Sequence, residues 1–140
     1  MAHRYKRIVV KVGSNVLTRD DGTLDATRLS AIVDQVAKVR REGIEVILVS
    51  SDAVASGSSE LGSQCGRMDQ VSARQLFSAV GQAKLINRYY DMFREWGIAC
   101  GQVLTTKESL GTRAHYLNQR NCMRVMIANG VIHIVTEKDT

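Results

Sequence analysis

The chain has 140 residues, of which 44% are hydrophobic and 24% are charged, a balance typical of a globular domain and not of a disordered chain. Its apolar runs fall well short of the ~20 residues that span a bilayer. Its first residues lack the pattern of a signal peptide. Three cysteines without metal-binding spacing are typical of a reducing compartment. These features predict a single-domain cytoplasmic protein with no membrane segment.

Nineteen Lys and Arg residues against fourteen Asp and Glu residues give a net charge of +5. A basic balance is compatible with nucleic-acid binding. The basic residues are scattered, however, and two Phe and one Trp leave few rings for base stacking. We therefore expect no nucleic-acid partner, and the excess charge suits a small anionic ligand.

The first half of the chain predicts strand, helix, strand. Arg7–Val12 is short, β-branched and apolar, and Gly13 ends it, as in a buried strand. Asp25 can cap a helix whose apolar positions recur at helical spacing, and Gly43 can end it in the left-handed conformation. Ile44–Val49 is the second apolar strand. The apolar positions of the helix are Leu29, Ile32, Val33 and Val36.

The second half predicts a long helix and then strand, helix, strand. Ser72 and Gln75 have the spacing of a capping box and predict where the long helix begins, and Gly97 ends it. The remaining elements are Ile98–Leu104 (strand), Thr112–Asn129 (helix) and Val131–Val135 (strand). The stripe that the long helix is expected to bury consists of Leu76, Val80, Ala83, Ile86, Tyr90 and Phe93.

The order β-α-β-α-β-α-β predicts an α/β fold with an open, mostly parallel sheet and helices on both faces. Ligands of such sheets bind beyond the carboxyl ends of the strands. This rule selects four segments, namely Gly13–Asn15, Ser50–Ala53, Thr105–Glu108 and Thr136–Thr140.

The segment after the first strand could bind an oxyanion. Gly13 lets the backbone approach such a group, and Lys11 would add a compact positive charge. The pattern is neither a Walker loop nor a G-x-G-x-x-G fingerprint. An ordinary glycine turn with a solvated Lys11 explains the same residues, so both interpretations stay open.

The segments after the second and fourth strands also allow two interpretations each. The hydroxyls that follow the second strand suit a carboxylate or phosphate, whereas Asp52 would repel an anion or would cap a helix. Glu137 and Asp139 could receive an ammonium group or a metal, or could belong to a solvated terminus. His133 lies within an apolar strand, which favours a structural role. The spacing of these residues assigns no metal ligand.

Taken together, five segments resemble the amino-acid-kinase family. They are K-V-G-S-N-V-L-T (11–18), V-S-S-D-A-V-A-S-G (49–57), S-A-R-Q-L-F-S-A-V-G-Q (72–82), G-Q-V-L-T-T (101–106) and H-Y-L-N-Q-R-N (115–121). The A-V-G-Q and Y-L-N blocks are typical of the branch that phosphorylates L-glutamate.

The resemblance implies ATP-dependent transfer of phosphate to the γ-carboxylate of L-glutamate, the first step of proline synthesis, with Mg²⁺ as cofactor. It implies that Lys11 stabilises the transferring phosphoryl group and that Gly13 and Ser14 belong to the adjoining phosphate loop. It further implies that Ser51 and Asp139 bind glutamate.

Some positions depart from the family pattern. Asp52 stands where the family has glycine, Thr136 and Lys138 stand where it has two asparagines, and His133 stands where a proline is usual. These changes affect the two segments to which the resemblance assigns glutamate binding.

The resemblance makes residues 1–140 the N-terminal, substrate-side part of a kinase domain, with the nucleotide-binding half absent. The 140-residue chain alone is therefore expected to be inactive. The alternative is a non-catalytic remnant or regulatory module that binds a small anion or another protein chain. The expected ligands are L-glutamate and ATP, and a homo-oligomer is compatible with this interpretation.

Overall fold

Four parallel strands form one open sheet in the order β1-β2-β4-β3. The structure is a computed structural model that describes residues 5–50, 57–58, 61, 68–104 and 112–136. Within these ranges the strands are β1 (Arg7–Val12), β2 (Glu45–Ser50), β3 (Cys100–Leu104) and β4 (Ile132–Thr136). The parallel pairing that the element order predicts is confirmed.

Helices cover both faces of the sheet. They are α1 (Ser14–Leu17), α2 (Ala26–Arg41), α3 (Gln70–Glu95) and α4 (Arg113–Ala128). The chain moves in one direction from β1 to β2 to β3 and then returns to β4 between β2 and β3. Because crossovers between parallel strands are right-handed, α2 and α3 lie on one face and α4 lies on the other.

Successive side chains along a strand point to opposite faces of the sheet, so a separate packing layer lies on each face. The core lies between the sheet and α2 and α3, and it contains β-strand residues such as Val12, Leu48 and Ile134. On the opposite face, the Met126 side chain of α4 packs against Gly101 of β3 and contacts His133 of β4. The predicted arrangement of helices on both faces is therefore confirmed. The helical members of the core are Leu17, Leu29, Val33, Val36, Leu85, Tyr89 and Phe93.

The predicted bounds hold closely for the first strand and less closely elsewhere. Arg7–Val12 is the observed β1, whereas β2 and β4 each begin and end one residue later than predicted. β3 begins at Cys100, two residues after the predicted start. Asp25 is the N-cap of α2, as predicted, and its Oδ1 accepts a hydrogen bond from Arg28 N at 3.1 Å.

The predicted start of the long helix is wrong. Asp69 is the N-cap of α3, and its Oδ1 accepts a hydrogen bond from Ser72 N at 2.7 Å. Its other carboxylate oxygen accepts from Ser72 Oγ at 3.0 Å. Ser72 is therefore already inside the first turn, where it supports the cap that Asp69 provides, and the capping box with Gln75 does not form.

The predicted buried stripe of α3 is confirmed for Phe93, which is buried, and for Ile86, which is half-buried against the core, but it is wrong for Tyr90. The helix turns a neighbouring stripe toward the core, and Tyr90, which was expected inside, is 49% exposed. Small side chains occupy the first two positions of the observed stripe, which a hydrophobic pattern does not detect. The observed stripe consists of Ser78, Gly81, Leu85, Tyr89 and Phe93.

No helix within the described ranges is long and apolar enough to cross a membrane.

Replacing Gly43 by alanine tests the predicted helix end. Gly43 has a φ of +90°, a conformation that costs a residue with a Cβ about 1–2 kcal/mol. We expect Gly43→Ala to lower the free energy of unfolding by about that amount and to lower Tm by several degrees in a thermal melt. Gly13→Ala is the matched control, because Gly13 lacks a positive φ and an added Cβ there meets nothing within 4 Å. Equal Tm values for the two variants would contradict this account.

Candidate active site

The four strands end level with one another. Val12 of β1 pairs with Ser50 of β2, Ser50 pairs with Thr136 of β4, and Thr136 pairs with Leu104 of β3. Each of these residues is the last of its strand. The strand ends therefore form one straight row, which we call the carboxyl edge. All four segments selected from the sequence begin, in chain order, at the last residue of a strand or at the residue after it.

Two helices that connect the strands around β4 lie on opposite faces of the sheet. The helix that follows β2 packs on one face of the sheet, and the helix that follows β3 packs on the other, with β4 between them. In open α/β sheets, ligands bind outside the carboxyl ends of strands at such a divergence. Thr136 at the end of β4 marks this place.

Lys11 and Gly13 lie at the carboxyl edge, as the sequence predicts. Val12 points into the core beneath α2 and α3, so the exposed Lys11 side chain belongs to the opposite face. An added Cβ at Gly13 would meet no atom of the described residues within 4 Å. The Gly13 carbonyl accepts a hydrogen bond from Val16 N at 3.1 Å as α1 begins.

The buried hydroxyls at this edge face α3. The Ser50 hydroxyl lies 3.4 Å from that of Tyr89, and both residues are fully buried. Thr136 Oγ1 accepts a hydrogen bond from Gln102 Nε2 at 3.1 Å. Burial raises the pKa of Tyr89 above its ordinary value, so its hydroxyl keeps its proton at neutral pH. These hydroxyls support the edge from inside, and Thr136, one of the departures from the family pattern, occupies a buried structural position.

His133 is buried on the α4 side of the sheet, between Ile47 of β2 and Gly101 of β3 in the strand register. Its Nδ1 lies 3.4 Å from Met126 Sδ, while its Nε2 has no hydrogen-bond partner among the described residues. Burial lowers the pKa of the imidazole, because the protonated ring would be charged inside the fold.

Several predicted site residues lie outside the described residues. They are Ser51 and Asp139, together with Asp52 and Lys138. For Ser14 the structure describes the backbone, which begins α1. Ser51 follows the last residue of β2 in the chain, and Asp139 comes three residues after the end of β4.

Sequence reasoning placed Ser50 at this edge, within the segment Ser50–Ala53, but it missed Tyr89. Tyr90 was expected in the core in place of its neighbour. The four-residue spacing of Leu85, Tyr89 and Phe93 is the signal that could have found the buried tyrosine.

The described residues contain no group of three or more His, Cys, Asp or Glu side chains that could hold a metal ion. Two surface grooves are lined by described residues. One of about 750 Å³ lies between α2 and α3, with Asp34 and Arg88 in its walls. The other, of about 460 Å³, lies between α4 and the sheet, with Arg7, Arg120 and Arg124 in its walls.

A sequence profile of the amino acid kinase family matches residues 6–140. The chain belongs to this family, and the predicted resemblance is confirmed.

Similar curated relatives carry the name glutamate 5-kinase. One from Bacteroides thetaiotaomicron is 66% identical over 140 residues, which is 100% of this chain and 39% of the relative. One from Chlorobaculum tepidum is 42% identical over 142 residues, covering 99% of this chain and 39% of the relative. One from Pelobacter propionicus is 39% identical over 137 residues, covering 98% of this chain and 36% of the relative. The chain thus spans less than half the length of these relatives.

His133 should make the stability of the chain depend on pH. Because its folded-state pKa is lowered, the unfolded chain takes up the proton first, near pH 6.5. Stability is then full above this pH and declines as the pH falls below it. Urea unfolding at several pH values should show this decline for the natural chain. The decline should be smaller for His133→Leu than for the natural chain. For His115→Gln, which removes an exposed imidazole, the decline should equal that of the natural chain. An equal decline in all three proteins would refute the assignment.

Proposed function

We propose that this chain forms the glutamate-binding side of a kinase that transfers the γ-phosphate of ATP to the γ-carboxylate of L-glutamate. The family assignment and the names of the relatives support this class of reaction. In this reaction a carboxylate oxygen forms a bond to the γ-phosphorus, and the bond from that phosphorus to ADP breaks.

The observation that carries the proposal is the composition of the carboxyl edge. An exposed lysine on β1 stands two residues before a glycine at which an added Cβ would meet no atom of the described residues within 4 Å. Both lie level with the ends of β2 and β4, the strands that lead to the two segments proposed to bind glutamate. A phosphoryl group and its acceptor can therefore meet at one edge.

Phosphoryl transfer depends mainly on positioning and on stabilisation of charge. In our proposal the ammonium group of Lys11 stabilises the negative charge on the transferring phosphoryl oxygens. The backbone at Gly13 and Ser14 approaches the same group. Ser51 and Asp139 hold glutamate, with the aspartate carboxylate available to the substrate ammonium group. None of these roles needs a nucleophilic side chain.

We assign residues 1–140 to the substrate side of the kinase domain, and we place the nucleotide-binding half in the remaining length of the relatives. The 140-residue chain by itself is then expected to bind glutamate without turning it over. The resemblance also implies Mg²⁺, but the described residues supply no set of carboxylates for it, so we derive no step through the metal. The cytoplasm, where ATP and glutamate are both present, is the proposed location, and a homo-oligomer is compatible with this function.

Lys11→Ala tests the proposed phosphoryl role. The experiment uses a chimera in which this chain replaces the matching segment of the Bacteroides thetaiotaomicron relative. Because the ammonium acts mainly on the transition state, we expect kcat to fall by roughly 10²–10³. The KM for glutamate and the Tm should change little. Coupled measurement of ADP release gives both kinetic constants.

Lys6→Ala is the matched control, because Lys6 is an exposed lysine just before the amino end of the same strand. It should leave kcat near the value of the unmodified chimera. A nearly normal kcat in a well-folded Lys11→Ala protein would show that Lys11 is an ordinary solvated lysine. An unmodified chimera that releases no ADP in response to glutamate would refute the proposed function itself.

A further inference from the structure

A pair of buried hydroxyls lies directly beneath the carboxyl edge. Tyr89 stands well inside α3, and its hydroxyl lies 3.4 Å from that of Ser50. Both residues have a relative exposure of 0%. A buried hydroxyl without a partner is costly, and the hydrogen bond between these two hydroxyls, in which either can be the donor, lowers that cost.

Ser50 is the residue through which this pair could influence the site. It ends β2, and it pairs with Val12 of β1 on one side and with Thr136 of β4 on the other. Moving Ser50 would therefore disturb both neighbouring strand ends. The next residue in the chain is Ser51, which the proposed function assigns to glutamate.

We propose that Tyr89 is a positioning residue, whose hydroxyl holds Ser50 and thereby keeps the end of β2 level with the ends of β1 and β4. This inference rests on the proposed function, because the level edge is where glutamate is proposed to bind. Tyr89 does not touch substrate, and it acts through Ser50.

The ring of Tyr89 has a separate role that must be distinguished from that of its hydroxyl. It stacks near Phe93 one turn later, with ring centroids 6.4 Å apart and an angle of 26° between the planes. A phenylalanine would preserve this packing. Tyr89→Phe therefore removes the hydroxyl alone, and Tyr90→Phe is the matched control, because it removes the hydroxyl of the adjacent, exposed tyrosine.

Amide hydrogen exchange of the ligand-free chain tests the anchoring directly. Local opening is reported by the exchange of the amides in the segment concerned. We expect Tyr89→Phe to speed exchange at Ser50 by about three- to tenfold relative to Val46, near the other end of β2. A variant that only loosened the fold would speed both amides equally. Ser50→Ala should give the same local effect, and the double variant should add little to it.

The KM for glutamate in the chimera tests the functional consequence. Tyr89→Phe should raise this KM by about three- to tenfold, with kcat changed less, while Tyr90→Phe should leave both unchanged. The inference is supported if Tyr89→Phe both speeds amide exchange at Ser50 and raises the KM for glutamate.

The remaining outcomes contradict it. Unchanged exchange at Ser50 would show that the hydroxyl anchors nothing, whatever happens to KM. Faster exchange with an unchanged KM would show that the anchoring does not serve glutamate. If the unmodified chimera were inactive, the proposed function would fail with it, yet exchange would still decide whether Tyr89 holds β2.

Discussion

The arrangement of the candidate site depends on the register of four parallel strands. Because side chains alternate along a strand, a slip of one residue would turn every side chain to the other face. If β2 slipped in this way, Ser50 would leave the core and Val49 would enter it. The apolar stripe of Val46 and Leu48 beneath α2 and α3 prevents such a slip. Hydrophobic packing thus fixes where the polar strand ends lie.

The two faces of the sheet contribute differently at this edge. On the α3 face, Ser50 and Thr136 are buried and bonded to partners inside the fold. On the other face, Lys11 is exposed at the end of an edge strand. The inner hydroxyls hold the strand ends in place, while the exposed Lys11 is the residue to which we propose a role toward the phosphoryl group. A lysine on the inner face would instead face the cost of burying a charge.

The sequence predicts the sheet well because buried parallel strands are short, β-branched and apolar. Arg7–Val12 meets that description, and its bounds are confirmed. Helix α3 is harder to predict, since Asp69 and Ser72 are both good N-caps and only three-dimensional packing decides at which of them the helix begins. The adjacent tyrosines at 89 and 90 pose the same difficulty. The buried one is favoured by a hydroxyl partner on a distant strand, which no local pattern contains.

The candidate site likewise has features that the sequence predicts and features that it does not. Lys11 and Gly13 could be found from the sequence, because a lysine and a glycine at a strand end form a local pattern. The segment Ser50–Ala53 was selected by the rule for strand ends, but the supporting role of Ser50 could not be predicted. That role comes from long-range pairing with β1 and β4 and from contact with α3.

Mapping glutamate onto the labelled 140-residue chain by NMR tests the central claim most directly. On addition of L-glutamate, the amide signals of Gly13, Ser50 and Thr136 should shift, while those of Arg7 and Glu45 at the opposite edge should not. L-Glutamine, which lacks the γ-carboxylate, should produce weaker shifts. Shifts concentrated in the arginine-lined groove between α4 and the sheet, or no shifts at the carboxyl edge, would contradict the account.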